Sequence, residues 1–182
     1  MASNFNEFVG RDEFEYPEDI DNSVIELAKE IRNRIDRPMF FSKVNGIVTS
    51  PGRDARYMRE ESKDFSLHRV GINHEASKKL GKAVIDENFF CRAIDFHLKT
   101  NDFDEYMEMA DIVSSVVGCG GVGLYPAWNK AGFHIDTRLS IHPGAYARWF
   151  DMGNKDYVYS SHVWYNQNVE NARKKFSHKW FK

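Results

Sequence analysis

The chain has 182 residues, 42% hydrophobic and 14% aromatic, which supplies one domain with a substantial core. A formal charge of −2 and a pI near 6.4 provide no general basic field and speak against sequence-independent nucleic-acid binding. Only two cysteines, Cys91 and Cys119, are present and they form no Cys-x-x-Cys pattern, so a disulfide framework is set aside and both read as free, buried thiols.

Met1 to Phe8 has neither a basic n-region nor an apolar h-region, and no run approaches the length of a bilayer span. The expectation is a soluble chain without signal peptide or membrane insertion, cytoplasmic at synthesis. Residues 1–21 read as an irregular acidic arm, with Asp12, Glu13, Glu15, Glu18, Asp19 and Asp21 among aromatics that can dock on the core. Residues 22–182 read as a single domain. Ser23-Val24-Ile25-Glu26 has the form of a capping box, and Val24, Leu27, Ala28, Ile31 and Ile35 recur at helical spacing, which predicts a helix from Ser23 to Ile35 ended by Pro38. Met39 to Ser50 carries two short β-like runs, and Gly46-Ile47-Val48-Thr49-Ser50 leads into a turn at Pro51-Gly52. Residues 54–66 are polar and loop-like, while Ala76 to Ile85 has a helical composition that Gly81 weakens.

Arg92-Ala93-Ile94-Asp95-Phe96-His97-Leu98 alternates, with Ile94, Phe96 and Leu98 on one face and Ala93, Asp95 and His97 on the other. Asp102 then caps a predicted helix whose stripe is Tyr106, Met109, Ala110, Val113 and Val117, stopped at Gly118. Gly118-Cys119-Gly120-Gly121-Val122-Gly123-Leu124-Tyr125-Pro126 is too rich in glycine for an ordinary strand interior and reads as a loop suited to close backbone approach. In Phe133-His134-Ile135-Asp136-Thr137-Arg138, alternation collects an imidazole, a carboxylate and a guanidinium on one strand face. The remainder reads as a loop through Pro143-Gly144, a short helix at Ala145 to Phe150, a β-like Tyr157 to Trp164 and a basic end from Arg173 to Lys182. Without regular βαβ alternation, the expected class is α+β, with helices packed on a small antiparallel sheet.

A catalytic zinc ion (Zn2+) takes three protein ligands, commonly histidine and carboxylate, and keeps a position for water. Three segments offer such ligands: Ser66-Leu67-His68, the Asp95 strand and the His134 strand. A strand histidine is more often hydrogen-bonded than metal-bound, and Asp95 beside Arg92 and His97 is equally compatible with a surface pair. The Gly-rich run lacks the Gly-Lys-Ser/Thr ending of a P-loop, so a phosphate cradle is the weaker reading.

The ordered series Thr49-Ser50-Pro51-Gly52-Arg53, Ser66-Leu67-His68, Arg92-Ala93-Ile94-Asp95-Phe96, Gly120-Gly121-Val122-Gly123-Leu124-Tyr125-Pro126, Phe133-His134-Ile135-Asp136-Thr137-Arg138 and Arg148-Trp149 resembles the M15 family of zinc peptidases. The resemblance is to the branch with D-alanyl-D-alanine carboxypeptidases and cell-wall endopeptidases, and it runs from Ser23 to Trp149. It implies an M15-like fold and a zinc-dependent hydrolase acting on an amide bond of peptidoglycan stem peptides, with His68, Asp95 and His134 as metal ligands. It further implies that Arg53, Ser66 and Tyr125 contact the peptide, that Arg53 and Asp136 serve the reaction, and that Asp136 either orients a ligand or acts as general base. Without an export signal, a phage lysis enzyme or a virion-borne enzyme is the natural setting.

The sequence departs from the family's spacing. The first two ligands stand 27 positions apart (95 − 68) where the family has seven, which implies an insertion across 69–91. A rival alignment puts Glu75 at the aspartate position, and His74 is a substitute for His68; Asp95 is preferred because Ala93-Ile94-Asp95-Phe96 keeps the small and apolar neighbours. Met58 stands where the family often has asparagine. The alternative reading is a non-catalytic binding or virion structural module on the same scaffold, and a further one is a closed structural metal site completed by His74, Glu75 or His97. Oligomeric state is not legible in the sequence.

Overall fold

The computed structural model describes residues 9–14, 18, 20–35, 37–41, 43–44, 47–48, 67, 73–81, 84, 86, 89–141, 143–154, 156–160, 164 and 166–176. Among them the helices are α1 (Asn22–Arg34), α2 (His74–Leu80), α3 (Phe103–Ser115) and α4 (Asn166–Lys175). The strands are β1 (Met39–Phe41), β2 (Lys43–Val44), β3 (Ile47–Val48), β4 (Ala93–Leu98), β5 (Gly121–Tyr125), β6 (Gly132–Asp136), β7 (Ala147–Asp151) and β8 (Tyr157–Ser160). A six-stranded sheet runs in the order β1-β4-β6-β5-β7-β8, and β2 and β3 form a separate antiparallel pair. The class is α+β.

The sheet is mixed rather than antiparallel, because β5 and β7 pair in parallel while the other neighbours are antiparallel. β6 ends at Asp136 opposite Gly121, and β7 begins at Ala147 opposite the same Gly121. The connecting loop therefore skirts one end of β5, and a short connection suffices where a parallel pair of consecutive strands needs a long crossover.

Alternation in β4 and β6 separates the two sheet faces as expected. Ile94, Phe96, Leu98, Phe133 and Ile135 join Val122, Leu124 and Phe150 in one buried cluster with Val24, Ile25, Leu27, Ala28 and Ile31 of α1 and Tyr106, Met109, Ala110 and Val113 of α3. Phe96 and Phe133 stack at 5.2 Å between ring centroids. Full burial of each large aliphatic or aromatic side chain contributes about 1.5–3 kcal/mol, so this face dominates the stability of the sheet.

Several local expectations are corrected. Asp21, not Ser23, is the N-cap of α1, its carboxylate accepting from the Ser23 N–H. Gly81 ends α2 in the left-handed region instead of lying inside a longer helix. Asp102 caps α3 as expected, accepting from the Asp104 and Glu105 N–H groups, but Val117 lies beyond the helix and is 91% exposed. The Gly-rich run is a fully buried central strand, β5, and Ala145–Phe150 is no helix, since β7 begins at Ala147. The N-terminal arm does dock: Val9, Phe14 and Ile20 are buried, and Arg32 donates twice to Glu13. Helix α4 was not expected; it buries Ala172, and Phe176 just beyond it packs on Phe103 and Tyr106. Among the described residues no helix is long and apolar enough to cross a membrane.

Candidate functional site

The sheet face opposite the helices carries the titratable residues. Asp95 of β4 is the cross-strand partner of His134 of β6, and His134 is in turn the partner of Gly123 of β5. Directly opposed residues bring their Cβ atoms within about 4.5–5.5 Å, which lets short side chains meet. His134 Nδ1 lies 2.9 Å from Asp95 Oδ1, and its Nε2 lies 3.1 Å from Asp136 Oδ2.

Asp136 is fully buried and held from behind. The Arg138 backbone N–H donates to Oδ1 at 3.0 Å, its Nε to Oδ1 at 2.8 Å, and its Nη2 to Oδ2 at 2.5 Å. Space for this carboxylate exists because residue 121 is glycine: a Cβ there would stand 2.1 Å from Asp136 Oδ2. Burial alone would raise the Asp136 pKa, but the hydrogen bonds and charges of Arg138 and His134 outweigh it and hold the carboxyl far below the usual range. Burial alone would likewise lower the His134 pKa, yet Asp136 and Asp95 raise it to about 9. As it stands the imidazole is a buried cation between two carboxylates, one sealed and one, Asp95, a quarter exposed.

Aromatic side chains frame the ring. Trp149 of β7 lies 4.9 Å from His134 between centroids, and the Arg138 guanidinium stands 5.4 Å from the same indole. Burial, followed by the charge of Asp95, pushes the Tyr125 pKa well up. On the far side of Asp95, His97 directs Nδ1 at the Ala131 carbonyl, 3.3 Å away, and tilts against Trp128 at 5.8 Å.

The structure thus brings together Asp95, His134, Asp136, Arg138 and Tyr125. Arg53, Ser66 and His68 lie outside the described residues, as do the side chains of His74 and Glu75. Among the described residues no group of three or more His, Cys, Asp or Glu side chains is placed to hold a metal ion. The donor chemistry of the pair that is described fits zinc: an oxygen and a nitrogen 2.9 Å apart can share one ion at the usual bond lengths of about 2.0–2.2 Å. Asp136 on the far ring nitrogen is the outer carboxylate that zinc-binding histidines commonly carry.

Sequence reasoning noted Trp149 without a role, and it missed the reason for Gly121 and Gly123. The signal was present in the strand parity: odd-numbered positions of β5 and β7 share the face of His134, but only the register reveals it. The glycines make no phosphate cradle; they clear room for Asp136 and for the indole. The chain matches no protein-family model, no curated protein and no solved structure in the three comparisons made.

Proposed function

We propose that this protein is a zinc-dependent peptidase, similar to the M15 family, that hydrolyses an amide bond in peptidoglycan stem peptides. The observation that supports it most is the Asp95–His134 pair across β4 and β6, backed by Asp136 and Arg138. In this reading Asp95 and His134 hold the ion, with His68 as third ligand by resemblance. When bound, zinc polarises the scissile carbonyl and brings the pKa of its water to about 7.

The protein groups have distinct tasks. Asp136 stays ionised and has both oxygens engaged, so it fixes the tautomer of His134 rather than collecting a proton from water. Arg138 neutralises it. Arg53 and Ser66 hold a carboxylate or carbonyl of the peptide, for which a guanidinium is suited by its bidentate geometry. Tyr125 lines the same sheet face as His134 and belongs to substrate binding. Delivery to the wall by phage lysis or on a virion follows by analogy alone.

One observation favours a second reading, a non-catalytic binding or virion module: both ring nitrogens of His134 lie within hydrogen-bond distance of a carboxylate, an arrangement that a purely structural imidazole also adopts. Zinc content and wall digestion separate the two. About one zinc per chain, with chelator-sensitive release of stem-peptide fragments lost in His134→Ala, is expected of the peptidase. Folded protein that takes up no zinc and releases nothing from any wall chemotype is expected of the module.

A further inference from the structure

We infer that Trp149 is a positioning residue for the His134 ring and that glycine at position 123 is what seats it. The inference deepens the peptidase reading and rests on it for the zinc measurement alone. His134 and Trp149 sit on strands separated by β5, and both have Gly123 as their Cα partner, one in an antiparallel and the other in a parallel register. Any side chain at 123 would stand between them. A Cβ there would lie 2.4 Å from the indole Cε2 and 2.6 Å from Cζ2 and Nε1, so the indole lies across the bare backbone of β5. Crossing it, the ring reaches His134 at 4.9 Å with a 53° interplanar angle.

The indole is itself fixed. It is 6% exposed, the Arg138 guanidinium faces it at 5.4 Å, and the Tyr159 ring packs on it at 6.0 Å between centroids. The two carboxylates anchor the nitrogens of His134 but leave its tilt about the line joining them soft, because hydrogen bonds tolerate broad angles. A packed aromatic face removes that freedom. It also keeps water from the Nε2–Asp136–Arg138 side, where a lower local dielectric strengthens the network. Glycine inside a strand weakens it, so the residue at 123 serves the site at the expense of the sheet.

The test uses the full chain, with His134 ring resonances followed by long-range proton–nitrogen NMR in the metal-free protein and zinc affinity measured by competition with a chelator. Trp149→Leu is expected to broaden or split the His134 ring signals and to weaken zinc binding about 10–100-fold. Trp149→Phe, which keeps an aromatic face, stays close to wild type. Gly123→Ala reproduces the Leu phenotype by displacing the indole, yet adds nothing in the Trp149→Leu background. Unchanged ring signals in folded Trp149→Leu, or full additivity of the two substitutions, overturns the inference. Should Trp149→Leu fail to fold, Gly123→Ala decides alone, and unchanged His134 signals in it have the same force. Wild-type protein that takes up no zinc refutes the peptidase reading instead, and the ring signals then judge Trp149.

Discussion

Asp95 and His134, 39 positions apart in the chain, are direct cross-strand partners whose side chains meet at 2.9 Å on the helix-free face of the sheet. Their meeting is dictated from the other face. Ile94, Phe96, Phe133 and Ile135 are wholly buried under α1 and α3, and a slip of one residue in the β4–β6 register would turn these side chains outward and the polar pair inward. The core therefore sets the geometry of the site.

Asp95→Ala tests the polar pair directly. Asp95 is a quarter exposed and lies outside the apolar cluster, so water can replace part of what His134 loses, and the variant is expected to fold with a smaller stability loss than Asp136→Ala while losing bound zinc and wall hydrolysis together. Metal analysis and peptidoglycan digestion on the same preparation provide the check. Full zinc content with full activity in Asp95→Ala would remove Asp95 from the ligand set.

Asp136→Ala acts on stability as well. Its removal leaves the Arg138 guanidinium and the His134 imidazolium facing each other without the carboxylate that separates them. Breaking a buried ion pair by deleting one partner costs about 3–5 kcal/mol. Gly121→Ala intrudes on the same carboxylate and is expected to cost about 1–3 kcal/mol as overpacking. Urea unfolding measures both, and a loss below 1 kcal/mol for Asp136→Ala contradicts the clamp.

How much of this was legible depended on whether local patterns and tertiary context agreed. β4 and β6 were readable because one face is core and the other polar, and Asp102 was readable because a carboxylate before an apolar stripe satisfies helix N–H groups locally. β5 was misread because its glycines lower strand propensity, and only the side chains of Asp136 and Trp149, which occupy the vacated space, explain them. β7 was misread because Ala147, Arg148 and Trp149 show no clean alternation: Arg148 is buried on the helix side, donating to the Ser114 carbonyl at the end of α3. α4 has only Val169 and Ala172 as apolar residues and buries Ala172 alone, so its apolar stripe was too thin to mark a helix. Of the site, Asp95, His134 and Asp136 followed from alternation, whereas the contact between β4 and β6 that joins them required the topology.

The metal-free protein should lose stability on the alkaline side. His134 titrates near 6.5 when unfolded and at about 9 when folded, so its contribution is complete below pH 6.5 and disappears as pH rises through 9. Asp136 has the opposite sign: its folded pKa is lowered, so its contribution is present above the ordinary value of 3.8 and is lost as pH falls below it. In chelator, unfolding free energy is therefore expected to plateau between these limits and to decline from pH 6.5 to 9. Zinc removes the alkaline decline, because a ligating imidazole is neutral. Stability that rises from pH 6.5 to 9 in chelator contradicts the charge state assigned to His134.

Both thiols are expected to be silent in the native state. Cys91 and Cys119 are buried, and burial pushes the Cys119 thiol up to about 12, so almost no thiolate forms at pH 8. Titration with a chromogenic disulfide should register neither thiol in the folded protein and both after unfolding in denaturant. A thiol that reacts within seconds in the native protein is incompatible with this packing.

Tyr106 ties α3 to the ends of two site strands through its hydroxyl. It is fully buried, donates to the Gly132 carbonyl at 2.5 Å and accepts from the Tyr125 N–H at 3.1 Å. Gly132 and Tyr125 are opposed residues of β6 and β5, so one oxygen serves both strands where they enter the turn that links them. Tyr106→Phe keeps the ring, which packs on Phe133 at 4.7 Å, and removes only this oxygen. Two buried backbone groups lose a partner, and the expected loss is about 1–3 kcal/mol. The loosening should be read locally, as faster hydrogen exchange at the Tyr125 amide, which donates to the Tyr106 hydroxyl, while β4 amides remain protected up to global unfolding. Unaltered exchange at Tyr125 in Tyr106→Phe would show that the hydroxyl does not anchor this end of the sheet.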